Sequence, residues 1–257
     1  MISDFFEIFL LSIIQGVSEF IPVSSAAHLI LASNIYEFKN QSLLIDISLH
    51  LGSLLAILFY FKDDIFNFNK NKNKNLFYKI IIGTLPLIII GYFLYVTNII
   101  DYFRNIKVIA WSTLFFGILL YIADKNKFLK KIDVDFNMKS VLIIGFFQIL
   151  ALIPWVSRAG ITITAGRILG FDRTDSTKIS FYLSIPALLG ASTLGIKDLF
   201  KENIDFNLLV LVGVFLSFLF SLITIKIFFK FIKNFSLNVF VVYRIFLAII
   251  LFYIIYF

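Results

Sequence analysis

Residues 15–28 read QGVSEFIPVSSAAH and place a carboxylate, several hydroxyls and an imidazole inside a chain that is otherwise strongly apolar. An acidic side chain at the centre of a bilayer costs roughly 2.5 to 3.5 kcal/mol, so such groups normally face a partner, a cavity or a substrate. We therefore expect these polar residues to have a chemical role, as part of a site in the protein.

The composition of the whole chain indicates its class. Hydrophobic residues make up 60% of it and charged residues only 15%, with a mean hydropathy of +0.95, which is typical of an integral membrane protein. The absence of cysteine and the presence of only two histidines exclude a disulfide framework, thiolate chemistry and a structural zinc site. The net charge of +7 comes mostly from loop lysines, which favours membrane orientation and lipid contact over nucleic-acid binding.

Apolar windows long enough to cross about 30 Å of hydrocarbon predict six transmembrane helices. They cover approximately 43–61, 76–96, 106–123, 179–194, 208–229 and 239–257. The fold class predicted is an all-α polytopic membrane protein.

Two shorter apolar runs end at Pro22 and Pro154, and each is followed by a second short run. Proline lacks an amide proton and disfavours the helical conformation in the residue before it. Broken backbone at membrane depth is tolerated only where protein buries it or water reaches it. We therefore predict two re-entrant helical hairpins, with simple kinks in ordinary spans as the alternative. The four runs cover 5–21, 26–36, 140–153 and 161–170.

The two breaks resemble each other, because IPVSSAA at 21–27 and IPWVSRA at 153–159 share Ile, Pro, Ser and the final Ala. The loops 62–75 and 124–139 are rich in lysine, as cytoplasmic loops are, whereas 195–206 balances lysines with acids. We therefore predict one membrane domain, 1–257, built as an inverted-topology repeat whose broken helices face each other at the bilayer midplane. The two halves cover about 1–125 and 133–257.

This arrangement would bring polar residues of both hairpins into one site. Two helix starts would direct backbone amides and positive dipole ends into it, and an arginine fork there suits phosphate. A glutamate can bind a divalent cation or orient a histidine. The site therefore predicts a phosphate-bearing ligand, and its candidates are Gln15, Glu19, Ser24, Ser25, His28, Ser157, Arg158, Gly160 and Thr162.

Each candidate also has a purely structural interpretation. The serines before the second helix of each hairpin are good helix caps. Glu19 and Arg158 could simply pair and so remove two charges from lipid. His28 could be a satisfied interior histidine, and we interpret His50, together with Asp46, as structural rather than catalytic.

The chain resembles the undecaprenyl-diphosphate phosphatases of the bacitracin-resistance type. The resemblance rests on 16–28 as the first signature, 154–162 as the second, Leu51-Gly52-Ser53 with Leu54 and Ala56, and Tyr243-Arg244. It implies an enzyme of the bacterial inner membrane that releases phosphate from the diphosphate of a long polyprenyl carrier, with a site open to the external face. It also implies a requirement for Mg²⁺ or Ca²⁺. A homodimer is left open.

The resemblance also implies catalytic roles for four residues. Arg158 would bind the phosphoryl oxygens, and Glu19 would bind the metal or orient His28. His28 would act as general base or as nucleophile, and Ser25 as the attacking hydroxyl or a positioning donor. Direct attack by water and a covalent phospho-enzyme both stay open.

Three residues depart from the family pattern. Ala27 replaces a glycine, Trp155 replaces a glycine after the proline, and Ala159 replaces a serine after the arginine. We expect the tryptophan to reshape the second break and the lost hydroxyl to remove one phosphate donor.

A transporter or flippase for the monophosphorylated lipid is the rival hypothesis, since opposed broken helices are common in transporters. A structural or insertion factor is a third. A transporter needs anion sites but no nucleophile beside a base, so Ser25 and His28 favour hydrolysis.

Overall fold

The computed structural model of the protein describes residues 2–38, 42–65, 71–97, 99, 105–125, 130–202 and 208–256. This part of the chain is helical and contains no strand. Its α-helices are α1 (Ile2–Ser18), α2 (Ser25–Tyr36), α3 (Leu43–Tyr60), α4 (Lys62–Ile65), α5 (Asn71–Thr97), α6 (Ile106–Lys125), α7 (Ile132–Asp135), α8 (Met138–Ile149), α9 (Arg158–Ile168), α10 (Arg173–Glu202), α11 (Leu208–Asn234) and α12 (Asn238–Tyr256).

Among the described residues, six helices are long and apolar enough to cross a membrane, so the six predicted spans are confirmed as candidates and the protein is a multi-pass membrane protein. The candidate spans are Leu43–Tyr60, Lys74–Thr97, Ile106–Lys125, Arg173–Ile196, Leu208–Asn234 and Asn238–Tyr256.

Two predicted boundaries are wrong by more than a turn. The span predicted to end at 229 continues to Asn234 at the end of α11. The span predicted at 179–194 lies inside α10, which begins at Arg173. The carboxylate of Asp172 accepts a hydrogen bond from the amide of Asp175 at 2.8 Å, and the Asp172 carbonyl accepts from Ser176 at 2.9 Å. A cap of this kind starts a helix among polar residues, where hydropathy gives no signal.

The four prolines fall into two groups. Pro86 and Pro186 lie inside α5 and α10, whereas Pro22 and Pro154 lie between helices. The predicted interruptions at Pro22 and Pro154 are therefore confirmed as breaks rather than kinks.

The first break joins α1 to α2. The amide of Val23 donates to the Ile21 carbonyl at 2.8 Å, and Ser24 adopts a φ of +82° immediately before α2 begins. The two helices pack against each other.

The second break joins α8 to α9 through a 3₁₀ turn at Leu150–Leu152. Trp155 and Ser157 both adopt a φ of +69°, a region that non-glycine residues occupy at a cost in free energy. These two helices also pack against each other.

Trp155 provides a test of this strained backbone. Glycine and alanine substitutions both remove the buried indole, but only glycine accommodates a positive φ without a Cβ clash. We expect Trp155→Gly to be more stable than Trp155→Ala by about 1 kcal/mol. Thermal unfolding of the two purified variants in detergent measures the difference, and equal stabilities would show that the strain is absent.

Packing divides the chain into two compact units. The first comprises 1–20, 25–75 and 184–227, and the second comprises 21–24, 76–183 and 228–257. The core of the first is formed by residues of α1, α2, α3 and α11: Ile8, Leu11, Leu29, Leu44, Ile45, Ile47, Leu49 and Val210. The core of the second contains Phe136, Val141, Ile144, Ala165, Phe171, Ile179 and Leu183.

A buried ion cluster holds the C-terminal end of α9 in the second unit. Asp124, which is 5% exposed, lies 3.0 Å from Nε of Arg167 and accepts from Nε and Nη2 of Arg173 at 2.8 and 2.9 Å. It also accepts from the backbone amide of Leu237 at 3.1 Å. The cluster therefore ties α9 to α6, to the start of α10 and to the start of α12.

Candidate active site

The carboxylate of Glu19 is the centre of a polar cluster in the first unit. Glu19 follows the last residue of α1 and is 9% exposed. Its Oε2 accepts a hydrogen bond from the hydroxyl of Ser25 at 2.5 Å and from Nε2 of Gln15 at 3.1 Å. Three of the predicted site residues therefore converge, and the serine hydroxyl points its proton at a carboxylate.

His50 reaches the same carboxylate from α3. Its Nδ1 lies 2.7 Å from the carbonyl oxygen of Asp46, and since a carbonyl only accepts, Nδ1 carries the proton. Its Nε2 then faces Oε2 of Glu19 at 3.9 Å. Interpreting His50 as structural, together with Asp46, does not account for this approach to the Glu19 carboxylate. The available signal was a second ionisable residue in a predicted span.

Ser24 and His28 lie on either side of Ser25. Ser24 is buried and ends the first break, and His28 is half-buried in the first turn of α2. Ser25 and His28 are one turn apart on one helix, as the sequence spacing predicts.

The predicted residues of the second unit gather at the start of α9. Ser157 caps this helix, because its hydroxyl accepts from the amide of Gly160 at 3.1 Å, so the cap interpretation of Ser157 is confirmed. Arg158 is the first helical residue, and its Nη1 donates to the Ser180 carbonyl at 3.4 Å. The hydroxyl of Thr162 donates to the Arg158 carbonyl at 2.8 Å and lies 2.6 Å from the Ser180 hydroxyl.

Arg244 fixes the backbone just before this cap. Its side chain is 1% exposed, and its guanidinium donates to the carbonyls of Trp155 at 3.2 Å, Val156 at 3.0 Å and Thr113 at 3.3 Å. Planar guanidinium donors of fixed geometry suit this bracing of a strained turn. In the sequence, Arg244 contributes to the family resemblance but has no predicted role.

The departures from the family pattern are accommodated inside the protein. Ala27 and Ala159 are 0% and 1% exposed, so each fills space in a packed interior. Trp155 is buried as well, and it adopts the positive φ that a glycine would favour.

The oxygen donors around Glu19 suit a hard divalent cation. In the part of the chain that the structure describes, no three His, Asp or Glu side chains form a metal-binding group. However, Oε1 of Gln15 is buried and has no hydrogen-bond partner among the described residues. A free amide oxygen beside a carboxylate is a partial ligand set for Mg²⁺ or Ca²⁺, which takes further oxygens from phosphate and water.

The chain is a multi-pass helical membrane protein in which a serine hydroxyl donates a hydrogen bond to a buried carboxylate, an arrangement that enzymes use to activate a nucleophile. Residues 8–250 match the family model described as bacitracin resistance protein BacA. The chain belongs to this family, as the sequence resemblance predicted.

Three curated relatives of the chain share the name undecaprenyl-diphosphatase. The chain is 54% identical over 257 residues to an undecaprenyl-diphosphatase of Pelagibacter ubique (strain HTCC1062), with 100% of both chains covered. It is 40% identical over 249 residues to an undecaprenyl-diphosphatase of Elusimicrobium minutum (strain Pei191), covering 94% of this chain and 95% of the relative. It is 35% identical over 258 residues to that of Jannaschia sp. (strain CCS1), covering 96% and 97%.

Proposed function

We propose that this protein is an undecaprenyl-diphosphatase, which hydrolyses undecaprenyl diphosphate to the monophosphate and inorganic phosphate. The observation that carries the proposal is the 2.5 Å hydrogen bond from the Ser25 hydroxyl to the Glu19 carboxylate. The name shared by the curated relatives supports it and does not favour the transporter hypothesis. By this activity the protein would recycle the lipid carrier for cell-wall synthesis and confer bacitracin resistance.

The first chemical step uses the bonded pair. Glu19 takes the proton of Ser25 as its Oγ attacks the terminal phosphorus, and the bond from phosphorus to the bridging oxygen breaks. Undecaprenyl monophosphate leaves, and the phosphoryl group stays on the serine.

The second step restores the serine. We assign His28 to the attacking water: His28 takes a water proton, the new P–O bond forms, and the bond from Ser25 Oγ to phosphorus breaks. Glu19 returns its proton to Ser25, His28 releases its proton to solvent, and phosphate leaves. Labelled phosphate trapped on Ser25 after quenching supports this route, whereas a protein without label favours direct attack by water.

We assign the stabilisation of negative charge on the transferred oxygens to the start of α9. The transition state of phosphoryl transfer spreads charge over these oxygens, so electrostatic stabilisation carries most of the catalysis. Arg158 supplies a permanent charge, and the positive end of the α9 dipole adds to it. Ser24, Ser157, Gly160, Thr162 and Gln15 complete the proposed substrate-binding set.

Removal of the Arg158 guanidinium tests this assignment. We expect Arg158→Ala to lower kcat/KM by about a hundredfold, because it removes charge stabilisation of the transition state. Arg158→Lys should recover only part of the loss, since an ammonium lacks the bidentate fork. Phosphate release by variants purified at normal yield is the measurement, and near-normal turnover of Arg158→Ala would remove the assignment.

A divalent cation, Mg²⁺ or Ca²⁺, is proposed as the cofactor. Glu19 and Oε1 of Gln15 would hold it, and it would neutralise charge on the diphosphate. Loss of phosphate release on chelation, with recovery on adding back either cation, tests this proposal. Full activity in the chelator would overturn it.

The proposed topology is an inverted repeat in the bacterial inner membrane, with six transmembrane helices and two re-entrant hairpins whose breaks contribute to one site open to the external face. It is supported by the similar motifs at 21–27 and 153–159 and by the lysine distribution. The chain contains no cysteine, so single engineered cysteines can be labelled without background. Labelling of both breaks from the external side, and of Lys139→Cys only from the cytoplasm, is expected; the reverse contradicts the orientation.

Phosphate release from undecaprenyl diphosphate by the purified protein in detergent tests the function as a whole. Detergent removes the two compartments that transport requires, so release under these conditions is hydrolysis. Failure of the wild-type protein to release phosphate, with and without divalent cation, would overturn the proposal.

A further inference from the structure

Helices α1 and α3 both approach α11 at glycines. A Cβ added to Gly16 of α1 would lie 2.5 Å from Cβ of Phe220 and 2.8 Å from the amide nitrogen of Ser221. A Cβ added to Gly52 of α3 would lie 2.8 Å from Cβ of Ser217. Real Cβ atoms do not come this close, so both glycines are needed for helix packing of the small-residue kind found in membranes.

This close approach creates a hydroxyl cluster, which consists of Ser53 of α3 with Ser217 and Ser221 of α11. The Oγ of Ser53 lies 3.3 Å from that of Ser217 and 2.9 Å from that of Ser221. All three residues are fully buried. Ser217 also donates to the backbone carbonyl of Leu49 at 2.6 Å.

The bond to Leu49 sets the direction of every other hydrogen bond in the cluster. A carbonyl only accepts, so the Ser217 proton is used there and Ser53 must donate to Ser217. Since Ser53 has one proton, Ser221 must donate to Ser53. The oxygen of Ser53 is then left as an acceptor only.

Gln15 completes the geometry. Its Nε2 lies 3.4 Å from Oγ of Ser53 and 3.1 Å from Oε2 of Glu19. An acceptor at Ser53 binds the amide nitrogen and repels the amide oxygen, so the Gln15 side chain is held in one of its two flipped orientations. Its nitrogen faces Glu19, and its oxygen is buried without a hydrogen-bond partner among the described residues.

We propose that the hydroxyl cluster is a positioning element, in which Ser53, supported by Ser217 and Ser221, fixes the Gln15 amide and through it the Glu19 carboxylate. The inference rests on the proposed function for its kinetic consequence. The contact between Ser53 and Gln15 can also be tested without activity.

Ser53→Ala provides the kinetic test. We expect it to lower kcat at least about fivefold with KM changed less than twofold, because it loosens the carboxylate that acts in the chemical step without touching substrate. Ser221→Ala, one bond further away, should have a smaller effect in the same direction. In the Gln15→Ala background, Ser53→Ala should have no further effect on kcat.

Ser48→Ala is the matched control. Ser48 is a buried serine of the same helix, α3, and lies outside the hydroxyl cluster. Its hydroxyl donates to the Ile45 carbonyl in the preceding turn of that helix at 2.7 Å. If the wild type hydrolyses the substrate but Ser53→Ala behaves as Ser48→Ala does, the inference is overturned and the proposed function is not.

A double-mutant cycle of melting temperatures tests the contact between Ser53 and Gln15 even if the wild type proves inactive. The melting temperatures of the wild type, Ser53→Ala, Gln15→Ala and the double variant are compared in detergent. We expect the double variant to lose less than the sum of the single losses. Strictly additive losses would overturn the inference whatever the outcome for hydrolysis.

Discussion

Glu19→Gln is expected to lower kcat by about a thousandfold or more, because glutamine cannot accept a proton from Ser25 and presents an amide donor to the hydroxyl beside it. The side chain keeps its size, so membrane insertion and the packing of α1 against α2 should be retained. Phosphate release by the purified variant is the measurement.

Substitution of Ser25 should cause the same loss of turnover. If the carboxylate acts by activating the hydroxyl, Ser25→Ala and the double variant should be about as slow as Glu19→Gln alone, since residues that act as a unit are not additive. Asp63→Asn, in the exposed part of α4, serves as the control and should leave turnover unchanged. A Glu19→Gln protein with turnover near that of Asp63→Asn would refute the role of the carboxylate.

Asp124→Ala is expected to destabilise the protein by about 3 to 5 kcal/mol, the usual cost of leaving a buried charge without its partner. Arg167, whose side chain is 4% exposed, would lose its carboxylate, as would Arg173. The amide of Leu237 would lose its acceptor as well. The measurement is thermal unfolding in detergent, where the variant should unfold well below the wild type.

Asp172→Asn is the matched control for this ion cluster. The Asp172 carboxylate pairs with the exposed Lys131, and asparagine retains the oxygen that caps α10. Its stability should fall by less than about 1 kcal/mol. Equal losses in the two variants would mean that the buried cluster contributes no more than a surface pair.

Desolvation raises the pKa of Asp172, but the hydrogen bond from Lys131 and those from backbone amides outweigh it, so the pKa is lowered overall. A lowered folded-state pKa gives stability that is present above the unfolded value and lost as the pH falls through the folded one. The stability of Asp172→Asn should therefore be lower than that of the wild type at neutral pH, and the two stabilities should become equal in acid.

Much of the architecture could be predicted from local signals. Span length follows from apolar windows. The small and polar residues that follow Pro22 and Pro154 distinguish these prolines, which interrupt helices, from Pro86 and Pro186, which lie inside them. Polar residues placed next to such breaks marked Glu19, Ser25 and Arg158 as site candidates, and the structure pairs the first two.

The remaining features depend on contacts between distant parts of the chain. Ser53 meets Ser217 and Ser221 more than 160 positions later, and one serine in a span gives no sign of a partner. Arg244 likewise serves carbonyls almost ninety positions away. A single sequence carries no information on which buried hydroxyl or guanidinium finds which acceptor.

Arg244 holds the backbone before the first residue of α9, and Asp124 holds its last turn. The helix that carries the proposed anion site is therefore ordered before any ligand binds. The conformational entropy of ordering it is lost once, during folding, and not again with each substrate molecule. An incoming anion at Arg158 therefore meets a surface that needs no rearrangement, and calorimetry should record its association with little change in heat capacity.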